Sequence, residues 1–244
     1  MEANLLLIID PQNDFVDSKG SLYIPGAENG IDSICDFIKN DNPLNIIITQ
    51  DTHQYYHIGH SDWWKEDIPP FTKITLEDVK TGKYNPKHYL KKDAIKYINT
   101  LPNKTHTIWP KHCIKGSWGW AFPDKLIETL NEWSIKNKGK QYEILEKGTN
   151  PNREMYSAIT EAGANSSILQ HSSFINKIKH YDKIYIAGFA RDVCVAWTVK
   201  DLINSGKFDD KLIFLKDCMT ALDPKSEMEK VYENGIKNHK ANWK

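Results

Sequence analysis

The sequence predicts an α/β protein built around a doubly wound, mainly parallel β-sheet. Short apolar runs alternate with amphipathic stretches along the chain. Several of the runs, such as residues 5–10, 45–49 and 183–190, are apolar at consecutive positions, which is typical of strands buried on both faces. Strands that alternate with helices imply right-handed crossovers, and these place helices on both sides of the sheet.

The elements follow one another in a regular order. The predicted strands are residues 5–10, 45–49, 106–109, 142–145, 183–190 and 211–215. Helical spacing of apolar residues predicts helices at residues 30–40, 123–137, 172–182, 193–206 and 226–242. Residues 54–104 depart from the pattern because they are polar, aromatic and interrupted by four prolines. We expect an elaborated loop region there, with one helix at residues 86–100.

Size and charge limit the class of protein. The chain has 244 residues, and its 32 Lys and Arg balance its 32 Asp and Glu. A net charge of zero argues against a nucleic-acid or anionic-membrane partner, which would favour a basic excess. No run of about 18 apolar residues is present, so no membrane span is predicted. The length suits one domain over residues 1–244.

The cysteines and the first residues suggest a compartment. The cysteines are Cys35, Cys113, Cys194 and Cys218, with no C-x-x-C pair among them. Their spacing supports neither a disulfide framework nor a cysteine-rich zinc site, and it favours a reducing compartment. Residues 1–10 are typical of a first strand and lack the basic start of a signal peptide. We therefore expect a cytoplasmic protein.

Polar side chains that could take part in catalysis or metal binding follow the predicted strands. They are Asp10, Asp51, His53, His112, Lys147 and Cys194. Ligands of open parallel sheets bind at the carboxyl ends of the strands. We therefore expect these side chains to converge on one edge of the sheet, although they are spread along most of the chain.

One group within this set suits nucleophilic catalysis. Cys194 opens a predicted helix, and the helix dipole with a nearby Lys147 would favour its thiolate. Asp10 could take the thiol proton and return it to a leaving group. Backbone N–H groups of residues 190–194 could hold an oxyanion. The alternative is that Cys194 is one more buried, inert cysteine, as we expect for the other three.

A second group suits a metal ion. Asp51 and His53 lie two positions apart, so both side chains leave a strand on the same face. With His112 they offer one carboxylate and two imidazoles, which suit Zn²⁺, Fe²⁺ or Mn²⁺ and leave coordination positions open. His57 and His60 are further candidates on the same loop, and the alternative is that they are solvated loop histidines.

The motifs together resemble the nicotinamidases of the isochorismatase-like cysteine amidohydrolase superfamily. The matching segments are IIDPQNDF, ITQDTH, IWPKHCIKGSWG, EKG followed by REMYSAI, and IAGFARDVCV, in the family's order. The resemblance implies a three-layer α/β/α fold with a mostly parallel six-stranded sheet. It also implies hydrolysis of nicotinamide to nicotinate and ammonia in NAD salvage.

The resemblance also implies roles for individual residues. Cys194 is expected to be the nucleophile, Asp10 the general base and acid, and Lys147 the third member of the triad. The expected ligands of one divalent metal ion, zinc or alternatively iron or manganese, are Asp51, His53 and His112. The residues expected to bind substrate are Phe15, Trp109 and Tyr156 around the ring and Ala190 in the oxyanion hole. The bond between Phe189 and Ala190 is expected to be a cis peptide that aims the Ala190 N–H.

The sequence departs from the family pattern near the proposed metal ligands, and it also leaves alternative functions open. Thr52 stands where the family often has an aromatic residue, and Gln54 where it often has proline. His57 matches a position where histidine is common, but it is left out of the ligand set.

The alternative functions are another isochorismatase-like amide hydrolase and a non-catalytic binding module on the same fold. A Rossmann-type nucleotide site is disfavoured because residues 10–15 hold no G-x-G-x-x-G. The sequence leaves open whether the chain forms a homo-oligomer.

Overall fold

The part of the chain that the structure describes contains eight strands and eight α-helices. A computed structural model describes residues 3–87, 90–162 and 172–244. The strands are β1 (Asn4–Ile9), β2 (Asn45–Asp51), β3 (Lys73–Thr75), β4 (Thr105–Thr107), β5 (Glu143–Lys147), β6 (Lys183–Phe189), β7 (Leu212–Thr220) and β8 (Asn242–Trp243). The helices are α1 (Asn13–Val16), α2 (Ala27–Asp41), α3 (Leu76–Thr81), α4 (Lys91–Thr100), α5 (Asp124–Lys136), α6 (Ser172–Ile178), α7 (Ala196–Asn204) and α8 (Lys230–His239).

The central sheet has six strands in the order β5-β2-β1-β6-β7-β8. All of its neighbouring pairs are parallel, so the carboxyl ends of the strands meet at one edge. Successive residues of β1 face opposite sides: Leu6 and Ile8 pack toward α2 and α5, whereas Leu5, Leu7 and Ile9 pack toward α6, α7 and α8. The consecutive apolar residues of β1 are therefore explained by helices on both faces, and the predicted three-layer architecture is confirmed.

Two predicted elements differ from the structure. The predicted strand at residues 106–109 is β4, which pairs antiparallel with β3 in a separate two-stranded sheet. The sixth strand of the central sheet is instead β8, which lies beyond the end of α8. The helix stops there because Lys240 adopts a left-handed conformation, and the Trp243 ring then packs against Phe214 and Tyr232. A two-residue strand has too little pattern to be recognised in a sequence.

Residues 54–108, hereafter the insertion, contain more regular secondary structure than a loop in their described parts, 54–87 and 90–108. They contain α3, α4 and the β3–β4 sheet. Helix α3 begins at a capping box between Thr75 and Asp78 and ends at Gly82, whereas α4 begins at Lys91, later than predicted. Their apolar side chains, including Trp63, Trp64, Tyr97 and Ile98, form a buried cluster distinct from the two clusters on the central sheet. Within the described residues, no helix is long and apolar enough to cross a membrane.

Candidate active site

The central sheet places the six chemically interesting side chains at one edge. Asp10 directly follows β1, Asp51 ends β2 and Lys147 ends β5. Cys194 lies in the π-helical turn Arg191–Val195 between β6 and α7. The loop carrying His112 runs beside β2, because the His53 N–H donates to the Cys113 carbonyl (3.0 Å). The convergence expected from the sheet topology is therefore present.

Lys147 connects the three members of the predicted triad. Its Nζ lies 2.9 Å from Asp10 Oδ2 and 3.6 Å from Cys194 Sγ, and it donates to the Met155 carbonyl (2.9 Å). The Thr49 hydroxyl donates to Asp10 Oδ1 (2.6 Å) and accepts from the Asp10 N–H (3.0 Å). The Asp10 carboxyl is thereby fixed between a hydroxyl and an ammonium group, facing the thiol.

Burial sets the protonation states of these groups. Burial raises the pKa of the Cys194 thiol well above its usual value, and the positive charge of Lys147 lowers that pKa by less than burial raises it. It also raises the pKa of Asp10 despite Lys147. Burial would lower the pKa of Lys147, but the charges of Asp10 and Asp51 hold it well above the ordinary value. Cys194 is therefore a thiol at rest rather than the expected thiolate, and Asp10 is the neighbouring group able to take its proton.

A second cluster is formed by Asp51, His53 and His112. His53 Nε2 lies 3.6 Å from Asp51 Oδ1, and His112 Nε2 lies 3.4 Å from Asp51 Oδ2. The Nδ1 atoms of the two rings face the carbonyls of His112 (3.3 Å) and Pro110 (2.8 Å), so Nδ1 carries the proton in both rings. Both Nε2 atoms therefore point toward the carboxylate, which is the arrangement of imidazoles that bind a metal ion.

The electrostatics of this cluster fit a divalent cation. Burial lowers the pKa of His53 to about 4, so its ring is neutral near pH 7. Burial disfavours the charged form of Asp51, but His53, Lys147 and His112 together hold its pKa well below the usual range. Within the described part of the chain, the buried His53 Nε2 has no hydrogen-bond partner. Burial disfavours the charged form of His112, but the hydrogen bond and charge of Asp51 raise its pKa above the usual value, so this imidazole would give up a proton on binding a metal ion. One ionised carboxylate and two buried imidazoles then suit zinc, iron or manganese.

Gly148 and Gln12 shape the surroundings of the cluster. Gly148 has φ +72°, and a Cβ built on it would lie 2.7 Å from Asp51 Oδ1 and 3.1 Å from His53 Nε2. Any other residue would therefore fill the space between the candidate ligands. Gln12 accepts from the Asp51 N–H (2.7 Å) and donates to the Asp51 carbonyl (2.8 Å), which fixes the backbone that carries this carboxylate.

Residues of both clusters line one cleft. Its walls include Phe15, Trp109, Tyr156 and Ala190, the residues expected to bind substrate, together with Cys194, Asp51 and His112. Trp109 Nε1 donates to the Tyr156 hydroxyl (3.1 Å), and the Phe15 ring lies 5.5 Å from that of His112. The peptide bond between Phe189 and Ala190 is cis, as expected. A flat aromatic ligand would be enclosed here, with the thiol and the candidate ligands exposed to it.

Two buried residues of the site lie outside the predicted site residues: Glu154, which the sequence analysis did not mention, and His60, which it named only as a further candidate. Glu154 lines the cleft, with Oε2 at 3.9 Å from His53 Nε2 and Oε1 at 3.4 Å from His57 Nδ1, and burial raises its pKa to about 7. His60 is fully buried, its ring 5.3 Å from that of His53. The available signals were three histidines within eight residues and the glutamate of REMYSAI. The other three cysteines are free and buried, as expected.

Comparisons with known proteins confirm the resemblance seen in the motifs. The chain is 26% identical over 239 residues to the nicotinamidase of Saccharomyces cerevisiae, with 97% of each protein covered. It is 26% identical over 233 residues to the nicotinamidase of Acinetobacter baylyi, covering 93% of this chain and 86% of that protein. No protein-family model matches the chain.

Solved structures share the fold. The nicotinamidase/pyrazinamidase of Acinetobacter baumanii has a TM-score of 0.71 at 23% identity, covering 100% of this chain and 96% of that one. The yeast nicotinamidase has a TM-score of 0.68 at 24% identity, covering 98% of both chains. A Pyrococcus horikoshii pyrazinamidase solved with zinc has a TM-score of 0.57 at 19% identity, covering 99% of this chain and 98% of that one.

Proposed function

We propose that this chain is an enzyme that hydrolyses nicotinamide to nicotinate and ammonia. The observation that carries the proposal is the position of Lys147, whose Nζ lies 2.9 Å from Asp10, 3.1 Å from Asp51 and 3.6 Å from Cys194. A nucleophile, its proton acceptor and a metal-ligand carboxylate thus meet at one cleft. The similarity to nicotinamidases along nearly the whole chain supports the assignment.

The cleft would hold the substrate by its ring and by its carboxamide. Phe15, Trp109 and Tyr156 provide aromatic surfaces for the pyridine ring, and the Trp109–Tyr156 hydrogen bond fixes one wall. The carboxamide would then face Cys194, with the Ala190 N–H contributing to the oxyanion hole. Such backbone donors are worth about 3–4 kcal/mol each in comparable acyl-transfer sites.

Asp51, His53 and His112 would hold one divalent metal ion, with zinc the first expectation. When bound, the ion would supply a Lewis acid that accepts the pyridine nitrogen and so orients the ring. The ligand chemistry of this chain supports it through two imidazole nitrogens directed at one carboxylate, whose pKa lies well below the usual range. The zinc-bound pyrazinamidase of the same fold provides a precedent for such a metal.

The chemical steps would be carried out by Cys194 and Asp10. Cys194 Sγ forms a bond to the carboxamide carbon while its proton passes to Asp10, and the tetrahedral oxyanion is held by backbone N–H groups. Asp10 then protonates the nitrogen as the C–N bond breaks, which releases ammonia and leaves a thioester. Water attacks the thioester with Asp10 as base, and Cys194 recovers its proton as nicotinate leaves. Lys147 remains charged throughout and stabilises the Asp10 carboxylate.

The setting of the reaction is proposed with it. Nicotinamide hydrolysis would serve NAD salvage. Because nicotinamide is a small neutral molecule, the protein needs none of the basic surface that binding a nucleic acid would require. Four free cysteines are in keeping with a reducing, cytoplasmic compartment. We keep the single domain and the open oligomeric state as predictions.

Ammonia release from nicotinamide by purified, zinc-supplemented protein tests the proposal. The matched control for Cys194→Ala is Cys218→Ala, because Cys218 is also free and buried but lies in β7, away from the cleft. We expect release by the wild type and by Cys218→Ala, none by Cys194→Ala, and a loss on chelation that zinc restores. Release that survives in Cys194→Ala would contradict the assigned nucleophile. No release by metal-loaded wild type would point to another amide substrate.

A further inference from the structure

A buried carboxylate lies close to the proposed metal centre without belonging to its ligand set. Asp14 is 5% exposed, and within the ranges that the structure describes no cationic side chain forms an ion pair with it. Its two oxygens accept instead from backbone N–H groups, Oδ2 from Cys113 (2.6 Å) and Oδ1 from Ser21 (2.8 Å). Burying a carboxylate without a cation is costly, so the position of this side chain calls for a functional reason.

The Cys113 N–H belongs to the peptide that joins His112 to Cys113, and the carbonyl of the same peptide faces His53. The His112 carbonyl lies 3.3 Å from His53 Nδ1, which donates to it. The peptide is trans and planar, so its N–H and its carbonyl point in opposite directions. Asp14 therefore holds one side of this peptide, while the His53 ring is bound to the other side.

The backbone of Cys113 adopts a conformation that neighbouring contacts must maintain. Cys113 has φ +49°, in the left-handed region that is unfavourable for residues other than glycine. Its carbonyl accepts from the His53 N–H (3.0 Å), and its N–H donates to Asp14 over the shorter distance of 2.6 Å. A strained backbone persists only where the surroundings fix it, and these two hydrogen bonds fix Cys113 on both sides.

The Asp14 side chain is itself held in place. Its backbone N–H donates to the Gly119 carbonyl (3.0 Å), and its carbonyl accepts from the Leu22 N–H (3.1 Å). A Cβ built on Gly119 would lie 2.1 Å from Asp14 Oδ2, so the carboxylate packs directly against the backbone of this glycine. Turning the carboxylate away from Cys113 would therefore require one of these segments to move.

We propose that Asp14 is a positioning residue of the proposed metal centre and acts through the peptide that joins His112 to Cys113. Imidazoles that bind a metal ion commonly donate their second nitrogen to a carboxylate or carbonyl, which fixes the ring and its tautomer. Here a peptide lies between the carboxylate and the His53 ring. Asp14 polarises the N–H of that peptide and so strengthens its carbonyl as an acceptor for His53 Nδ1. The inference rests on the metal centre of the proposed function, and Asp14 itself does not line the cleft.

The zinc affinities of two matched variants test the proposal. Asp192 is the control, because it is also buried and its two oxygens accept from the N–H groups of Leu222 (2.7 Å) and Asp223 (2.9 Å), in a loop without proposed ligands. Asp14→Ala and Asp192→Ala should lose similar stability in urea, since each leaves two N–H groups without their acceptor. In a competition titration, Asp14→Ala should bind zinc about 10–100-fold more weakly than wild type, as loss of an outer-shell partner does. Asp192→Ala should stay within about threefold of wild type. Equal zinc affinities for the two variants would overturn the proposal, because a merely structural role would not distinguish them.

Hydrogen exchange in the metal-free wild type provides a measurement that requires no variant to fold. If Asp14 orders the peptide before the ion binds, the Cys113 amide should exchange far more slowly than the same amide in the urea-unfolded protein. Exchange at the rate of the unfolded chain would overturn the proposal.

The two proposals can fail separately. Weakened zinc binding in Asp14→Ala, with no nicotinamide hydrolysis by metal-loaded wild type, would refute the proposed function and leave the role of Asp14 standing. Hydrolysis by wild type, with the zinc affinity of Asp14→Ala unchanged, would refute the role of Asp14 and leave the proposed function standing.

Discussion

Replacing Gly148 by alanine should separate the cost of a backbone conformation from the cost of obstructing the metal centre. At φ +72° an alanine is strained, and this conformation costs about 1–2 kcal/mol of folding free energy. Its Cβ would also lie 2.7 Å from Asp51 Oδ1, whereas ordinary contact begins at 3.4 Å. The carboxylate must therefore retreat by about 0.7 Å, the difference between those distances, although metal–ligand bonds tolerate only about 0.2 Å.

A displacement of that size should lower zinc affinity about 10–100-fold, or about 1.4–2.7 kcal/mol, as the loss of an outer-shell contact does. Gly139→Ala is the matched control, because Gly139 has φ +81° and no described atom lies within 4 Å of the position that its Cβ would take. Both metal-free variants should lose similar unfolding free energy in urea. Competition titration should show weakened zinc binding for Gly148→Ala alone. Equal zinc affinities for the two variants would refute the placement of the ion between Asp51 and His53.

Three further predictions concern the nucleophile, the aromatic wall and acid stability. Cys194→Ser should lower kcat by at least ~10³-fold in a steady-state assay. Its zinc affinity, measured by isothermal titration, should be unchanged because the thiol is not among the proposed ligands. Tyr156→Phe removes the acceptor of the Trp109 N–H, so steady-state kinetics should show KM for nicotinamide about 5-fold higher with little change in kcat. Burial lowers the pKa of His106 from 6.5 to about 4, so below pH 6.5 the unfolded chain binds a proton that the fold excludes. Between pH 7 and pH 4, the metal-free wild type should therefore lose about 3 kcal/mol more unfolding free energy than His106→Gln. Urea unfolding at several pH values measures this difference, and identical pH slopes for the two proteins would contradict it.

The residues at the ends of the central strands could be placed from the sequence because their positions follow from topology. Asp10, Asp51 and Lys147 each follow an apolar run, and parallel strands bring such positions to one edge. The three-layer fold was predictable for the same reason, since the consecutive apolar residues of β1 require cover on both faces.

Features that depend on tertiary packing could not be read in the same way. Glu154 and His60 lie in segments without strand or helix periodicity, so nothing local indicates that their side chains turn inward. The two residues of β8 are too few to show a pattern. The protonation of Cys194 depends on whether burial outweighs the charge of Lys147, and only the packed structure decides that balance.

The proposed metal centre would have a consequence for folding, because two of its ligands flank the insertion in the sequence. His53 and His112 lie 59 positions apart, with the whole insertion between them. An ion bound to both would act as a removable cross-link, and closing a loop of that length with a disulfide is worth about 4 kcal/mol in the chain-entropy account. The insertion has its own small apolar cluster and would open as a unit once the cross-link is removed. Amide hydrogens of α3 and α4 should then exchange faster in metal-free protein than those of β1, so that metal supply governs the integrity of the cleft wall as well as its chemistry.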